Sequence, residues 1–125
     1  MKIAVTALTT LFLATAGAYA AEPAQTATID GKTVYTDAQG MTLYTFDRDE
    51  AGKSNCDGDC ATRWPPFMAE AGAAAEGDWT IVERSDGTMM WAYDGKPLYT
   101  YSGDTKAGDA TGDGVGGVWH LATAE

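Results

Sequence analysis

Gly40-Met-Thr-Leu-Tyr-Thr-Phe-Asp-Arg-Asp49 returns 55 residues later as Gly95-Lys-Pro-Leu-Tyr-Thr-Tyr-Ser-Gly-Asp104. The same offset, applied without a gap, lays Trp64 on Trp119 and Thr33 on Thr88. Two copies in register across the only cysteine pair imply duplication of one structural unit, so the fold reads as two similar halves.

Working outward from the repeated phrase, short apolar or aromatic runs alternate with turn signals. Thr26 to Ile29 precedes Asp30-Gly31, Thr33 to Thr36 precedes Gln39-Gly40, and Met41 to Phe46 follows. The second half repeats the pattern with Trp79 to Glu83, Thr88 to Tyr93 before Asp94-Gly95, and Lys96 to Tyr101. This spacing predicts antiparallel hairpins. Each half is then three strands, a long Gly/Asp-rich loop (47–63 and 102–117), and a tryptophan that leads back into the core as a fourth short strand. Between the halves, the Ala/Gly-rich stretch 68–77 reads as a linker with room for one helical turn, being too short for an independent helix.

Period-two alternation puts Leu43 and Thr45 on one face and Tyr44 and Phe46 on the other, and Leu98, Thr100, Tyr99 and Tyr101 repeat this. Apolar residues on both faces suit a sheet covered on both sides. The expected fold is all-β: two homologous antiparallel β-meander repeats, about 26–68 and 79–123, packed as a small sandwich or barrel in a single domain spanning 21–125.

Residues 1–20 open with Lys2, run apolar from Ile3 to Ala16 and end Ala18-Tyr19-Ala20, the grammar of a secretory signal peptide with cleavage near Ala20. The apolar run is shorter than the roughly 20 residues that span a bilayer, so no membrane insertion is expected of the mature chain. No cysteine lies near the cut, which argues against a lipid anchor there. The eighteen acidic side chains outnumber the eight basic ones, for a formal net charge of −10. Such a chain repels phosphate backbones and anionic headgroups, which excludes nucleic acid as a natural partner. Secretion, with the periplasm as compartment, is the expected localisation.

Within the repeated phrase sits Tyr-x-(Phe/Tyr)-x-x-Asp, as Tyr44, Phe46, Asp49 and as Tyr99, Tyr101, Asp104. The chain resembles the secreted-repeat family of predicted lipoproteins whose hallmark is the Tyr-x-(Phe/Trp/Tyr)-x-x-Asp phrase. The resemblance extends over nearly the whole mature chain, including Cys56-Asp-Gly-Asp-Cys60-Ala, Trp64-Pro65-Pro66 and Gly108 to Trp119. It lacks the lipid-attachment cysteine of the label, and it implies a fold and a compartment rather than an activity. Physically the phrase suits a structural role: same-face aromatics bury large areas, and the aspartate can receive backbone N–H groups of the following turn. The alternative is an aromatic platform for a flat or sugar-like ligand, which needs exposed rings.

Cys56 and Cys60, an even pair in an oxidising compartment, suggest a local disulfide that restrains the unfolded chain by about 2 kcal/mol. A redox-active or copper-binding Cys-x3-Cys pair is the competing reading. His120, the lone histidine, together with Met41, Met68, Met89 and Met90, offers soft ligands for copper(I). Haem ligation by His120 lacks an attachment motif. The acidic loops invite calcium, with Asp47, Asp49, Asp57 and Asp59 in the first half and Asp104, Asp109 and Asp113 in the second. An EF-hand register from Asp47 fails, because Ala51 and Gly58 stand at its fifth and twelfth positions.

No catalytic constellation emerges. Ser54, Ser85 and Ser102 lie in no nucleophile-elbow context, and a domain of this size leaves little room for a cleft between paired carboxylates. The sequence therefore points to a non-enzymatic secreted β-repeat module that binds a protein or small ligand. The alternative is a metal (copper or calcium) binding or redox accessory protein.

Overall fold

The computed structural model describes residues 22–124, so the expected signal peptide lies outside the described residues. The elements run β1 (Gln25–Ile29), β2 (Lys32–Thr36), β3 (Tyr44–Phe46), α1 (Asp59–Arg63), β4 (Trp79–Glu83), β5 (Met89–Tyr93), β6 (Lys96–Pro97) and β7 (Trp119–Leu121). All strand pairs are antiparallel. Asp30 and Gly31 turn β1 into β2 with φ of 52° and 79°, and Asp94 and Gly95 turn β5 into β6 with 53° and 80°. Positive φ at both central residues is the type I′ geometry whose twist matches the strands it joins, which is why aspartate and glycine stand there.

The two repeats exchange their last strands. β7, from the second repeat, pairs with β3 of the first through Tyr44↔Leu121, Thr45↔His120 and Phe46↔Trp119. The matching segment of the first repeat crosses the other way: Pro66 bridges Tyr99, Thr100 N donates to Pro65 O at 2.9 Å and Ser102 N to Arg63 O at 2.8 Å. Further out, Val34 bridges Thr123 and Met68 bridges Met90. At the centre Tyr44 N donates to Tyr99 O at 2.7 Å and Tyr99 N to Tyr44 O at 3.0 Å. Each repeat thus supplies backbone partners that the other lacks, so each completes its sheet only in the other's presence.

The sheets are two-, two- and three-stranded, and β1 and β4 stand at edges with one neighbour in their sheets. The architecture is an open, sandwich-like packing of antiparallel sheets; the barrel alternative does not close, since the strands fall into three separate sheets. Apart from α1 and a 3-10 turn at Val115–Gly117, the described residues contain no helix. No helix among them is long and apolar enough to cross a membrane.

Two hydrophobic clusters lie on opposite faces of the central strands, as the alternation required. One gathers Tyr44, Cys56, Trp64, Val82, Met90, Ala92, Tyr99 and Trp119; the other gathers Ala24, Tyr35, Leu43, Trp79, Trp91, Leu98 and Ala122. Leu43, Tyr44, Leu98 and Tyr99 are all fully buried.

Two details depart from the sequence reading. The gapless 55-residue offset holds from Gly40 onward but not before it. Tyr35 accepts from Leu43 and donates to Ala122, while Trp91 accepts from Leu98 and donates to Phe67, so Tyr35 answers to Trp91 and Thr33 to Met89 rather than Thr88. The cause is one extra residue in the first repeat's turn, where Asp37 N donates to Met41 O and the Asp37 carboxylate receives the N–H groups of Gln39 and Met41. The stretch 68–77 forms bridges and turns without a helical turn, and the one short helix, α1, begins inside the cysteine loop.

Candidate functional site

Four aromatic rings stack in a row through the interior: Phe46 on Trp119 (4.2 Å, 12°), Trp119 on Trp64 (3.7 Å, 2°) and Trp64 on Tyr101 (4.1 Å, 25°). The row is palindromic, since Phe46 and Tyr101 hold equivalent positions in the two phrases, as do Trp119 and Trp64. Tyr99 meets Trp119 edge-on at 5.3 Å and Tyr44 meets Trp64 edge-on at 5.4 Å. The strand exchange explains this: pairing Phe46 with Trp119 across β3 and β7, and Tyr101 with Trp64 in the twin, brings both tryptophans to the centre. Trp64 and Trp119 are buried, whereas Phe46 and Tyr101 are half-buried.

The tyrosines of the phrase reach across to the aspartates of the opposite copy. Tyr44 Oη donates to Asp104 Oδ2 at 2.7 Å, and Tyr99 Oη donates to Asp49 Oδ2 at 2.6 Å. Each aspartate also receives the backbone N–H of its own following loop, Asn55 at 2.6 Å for Asp49 and Thr111 at 2.9 Å for Asp104. Burial, followed by the hydrogen bond to the carboxylate, pushes both phenols well above the ordinary tyrosine value. Asp49 is raised as well, because burial outweighs the hydrogen bonds of Tyr99 and Asn55 and the charge of Arg84.

Arg84, which the sequence reading passed over, is buried beside this cluster. Its guanidinium donates to Ser54 Oγ at 2.9 Å and to the Cys56 carbonyl at 2.8 Å, and lies 3.3 Å from Asp57 Oδ1. Ser54 Oγ in turn sits 2.6 Å from Tyr99 Oη. The Cys56–Cys60 disulfide is formed, with Cα atoms 5.2 Å apart, and Cys56 is fully buried. A lone arginine after an alternating strand normally reads as solvated, and only the cysteine loop folding over it turns it inward.

The symmetry fails at the two ends of the ring row. Beyond Tyr101 the main chain closes in: a Cβ on Gly103 would come within 2.6 Å of Tyr101 Cε2, and one on Gly112 within 2.7 Å of Trp64 Cη2. Glycine is required there because backbone lies directly against the rings. At the other end, Phe46 lines a cavity of about 420 Å³ together with Asp47, Asp49, Glu50, Asp94, Lys96 and His120. In its wall His120 Nε2 lies 2.8 Å from Asp47 Oδ2, both side chains being half-exposed.

The remaining sequence candidates are dispersed. Asp104 is taken up by Tyr44 and Thr111, Asp113 receives Leu121 N, and Asp109 receives Thr105 and pairs with Lys106 at 2.9 Å. Among the described residues no three His, Cys, Asp or Glu side chains converge as a metal site would require. Met90 is fully buried, whereas Met68 and Met89 are exposed. Tyr44 and Tyr99, being buried, offer no ring face to a ligand.

A family model described as a secreted repeat of unknown function matches residues 25–68 and again residues 80–123. The chain belongs to that secreted-repeat family. Its two matched segments coincide with the two interlocked halves and leave the stretch 69–79 between them unmatched. No curated protein and no solved structure matches the chain.

Proposed function

We propose that this secreted-repeat protein is a non-enzymatic periplasmic module that binds a small cationic ligand in the cavity beside Phe46. The observation that carries the reading is the broken symmetry of the ring row. Main chain packs against the Tyr101 ring at one end, whereas the equivalent Phe46 at the other end lines a cavity with four carboxylates, one lysine and one histidine. An aromatic ring beside an excess of negative charge suits an organic cation, which gains from the ring's quadrupole and from the carboxylates at once. The cavity's volume lies within the range of small-molecule sites. The chain's negative charge keeps nucleic acid and anionic membranes out of the list of partners.

Titration with tetramethylammonium, followed by amide chemical shifts, tests this directly. Saturable shifts confined to Phe46, Asp47, Glu50, Gly95 and His120, and lost in Phe46→Ala, are expected. Shifts that are absent, or that persist unchanged in Phe46→Ala, contradict it. Export belongs to the same reading: the protein recovered from the periplasm should begin at Ala21, and a retained leader or a cytoplasmic location would count against it.

A further inference from the structure

Face-to-face stacking at 3.7 Å and 2° is an unusual arrangement for two neutral indoles. Ring quadrupoles repel in a direct sandwich, and aromatic pairs prefer offset or edge-on contacts at about 4.5–7 Å. Removing one electron reverses the preference, because two parallel rings in close contact share the resulting positive charge. Around Trp64 and Trp119 stand the partners that such a charge would need. Tyr101 continues the stack at 4.1 Å; the main chain of Gly103 and Gly112 lies against part of its ring, and the half that stays uncovered gives an outlet toward the surface. Tyr99 and Tyr44 touch the pair edge-on, and each already points its Oη at a carboxylate oxygen 2.6–2.7 Å away. A phenol loses an electron far more readily when its proton has somewhere to go. Phe46, at the end that lines the cavity, is much harder to oxidise and does not accept the vacancy.

We propose that the stacked Trp64–Trp119 pair is a one-electron relay, which accepts the vacancy left when an oxygen-centred radical oxidises the protein through Tyr101 and hands it to Tyr99 or Tyr44. In the first step the oxidant takes one electron and becomes its anion, leaving a radical cation shared by the two indoles. In the second, Tyr99 gives one electron to the indole pair and its Oη proton to Asp49 Oδ2. The products are two neutral indoles, a neutral tyrosyl radical and a protonated Asp49. A small thiol or enediol returns one electron to the tyrosyl oxygen, becoming its own neutral radical as its proton goes to solvent, and Asp49 returns the proton to Tyr99. Tyr44 and Asp104 form the equivalent terminus on the other side. The raised position of Asp49 supports its part as proton acceptor. Ser54, itself held by Arg84, fixes the Tyr99 phenol, and the Asn55 N–H fixes the Asp49 carboxylate. The relay shares Asp49 with the cavity beside Phe46 but needs no ligand there.

Flash photolysis of the full chain with a ruthenium tris-bipyridyl complex and persulfate tests the relay. In the native protein the transient spectrum should contain the near-infrared charge-resonance band of a shared indole vacancy, decaying into the sharp tyrosyl signal. Trp119→Phe should lose the near-infrared band and most of the tyrosyl yield. In Tyr44→Phe/Tyr99→Phe the indole band should form and persist. A native spectrum with the signal of an isolated indole and no near-infrared band overturns the proposal without reference to any variant. So does an undiminished tyrosyl yield in folded Trp119→Phe.

Discussion

Tyr44 and Tyr99, the same residue of two copies, exchange both backbone hydrogen bonds at 2.7 and 3.0 Å and then send their hydroxyls in opposite directions, each to the other copy's aspartate. The repeated phrase is therefore a crosswise contract: the tyrosine of one half is satisfied by the acid of the other. This self-complementary arrangement is the intrachain counterpart of a two-fold interface.

Removing one hydroxyl from this pair should be costly. Tyr44→Phe leaves the Gly112 N–H, 3.1 Å from Oη, and Asp104 Oδ2 without that partner. Tyr99→Phe strips Asp49 in the same way. Each should lower unfolding free energy by about 1–3 kcal/mol in urea denaturation. A loss within error of zero for both would show that the crossed bonds do not stabilise the fold.

The disulfide closes a small ring, and Cys56→Ser/Cys60→Ser should cost about 2 kcal/mol with the secondary structure retained. The larger effect should be local: the Cys56 carbonyl receives Arg84, so amide exchange near residues 54–60 should rise first. Unchanged melting, with unchanged protection in that loop, would contradict this.

All four tryptophans are buried, so intrinsic emission should be blue-shifted and weakly quenched by acrylamide. Trp119→Ala removes the centre of the ring row and should cost about 3–5 kcal/mol. Emission typical of water-exposed indole in the native protein would refute the stacked core.

Two aspartates should act on acid stability with opposite signs. The Asp49 carboxyl, raised by burial and faced by Tyr99, Asn55, Arg84 and Asp57, holds its proton more tightly in the native state than in the unfolded chain. Its contribution therefore falls as pH rises through the interval above the ordinary aspartate value. Asp109, held down to about 2 first by the Thr105 N–H and then by Lys106, contributes stability that is present above that ordinary value and lost as pH falls toward about 2. Carboxyl carbon shifts followed through a pH titration should show Asp49 titrating above Asp109, and Arg84→Met should raise Asp49 further. The reverse order would contradict the geometry.

Much of the fold was legible. Asp30-Gly31 and Asp94-Gly95 announced their hairpins, because few other pairs tolerate two successive positive φ angles. The alternation of Leu43 and Tyr44 announced two buried faces. The exchange of last strands was not legible, because Trp64 and Trp119 align equally well whether each returns to its own repeat or to the other. The extra residue of the Asp37 turn was hidden because a chance threonine match made the gapless alignment look continuous through Thr33 and Thr88. Of the site, the phrase residues were visible one by one, but the pairing of Tyr44 with Asp104 and Tyr99 with Asp49 joins residues 60 and 50 positions apart. The inward turn of Arg84 depends on a loop whose path no local pattern encodes.

The interlocked interior is tested most directly by native-state hydrogen exchange across a urea series, reading the amides of Tyr44 and Tyr99. Both are expected to exchange only through whole-molecule unfolding, with one common free energy and one common urea dependence. Exchange of one at low urea while the other stays protected would mean that a half opens by itself, and would contradict the account.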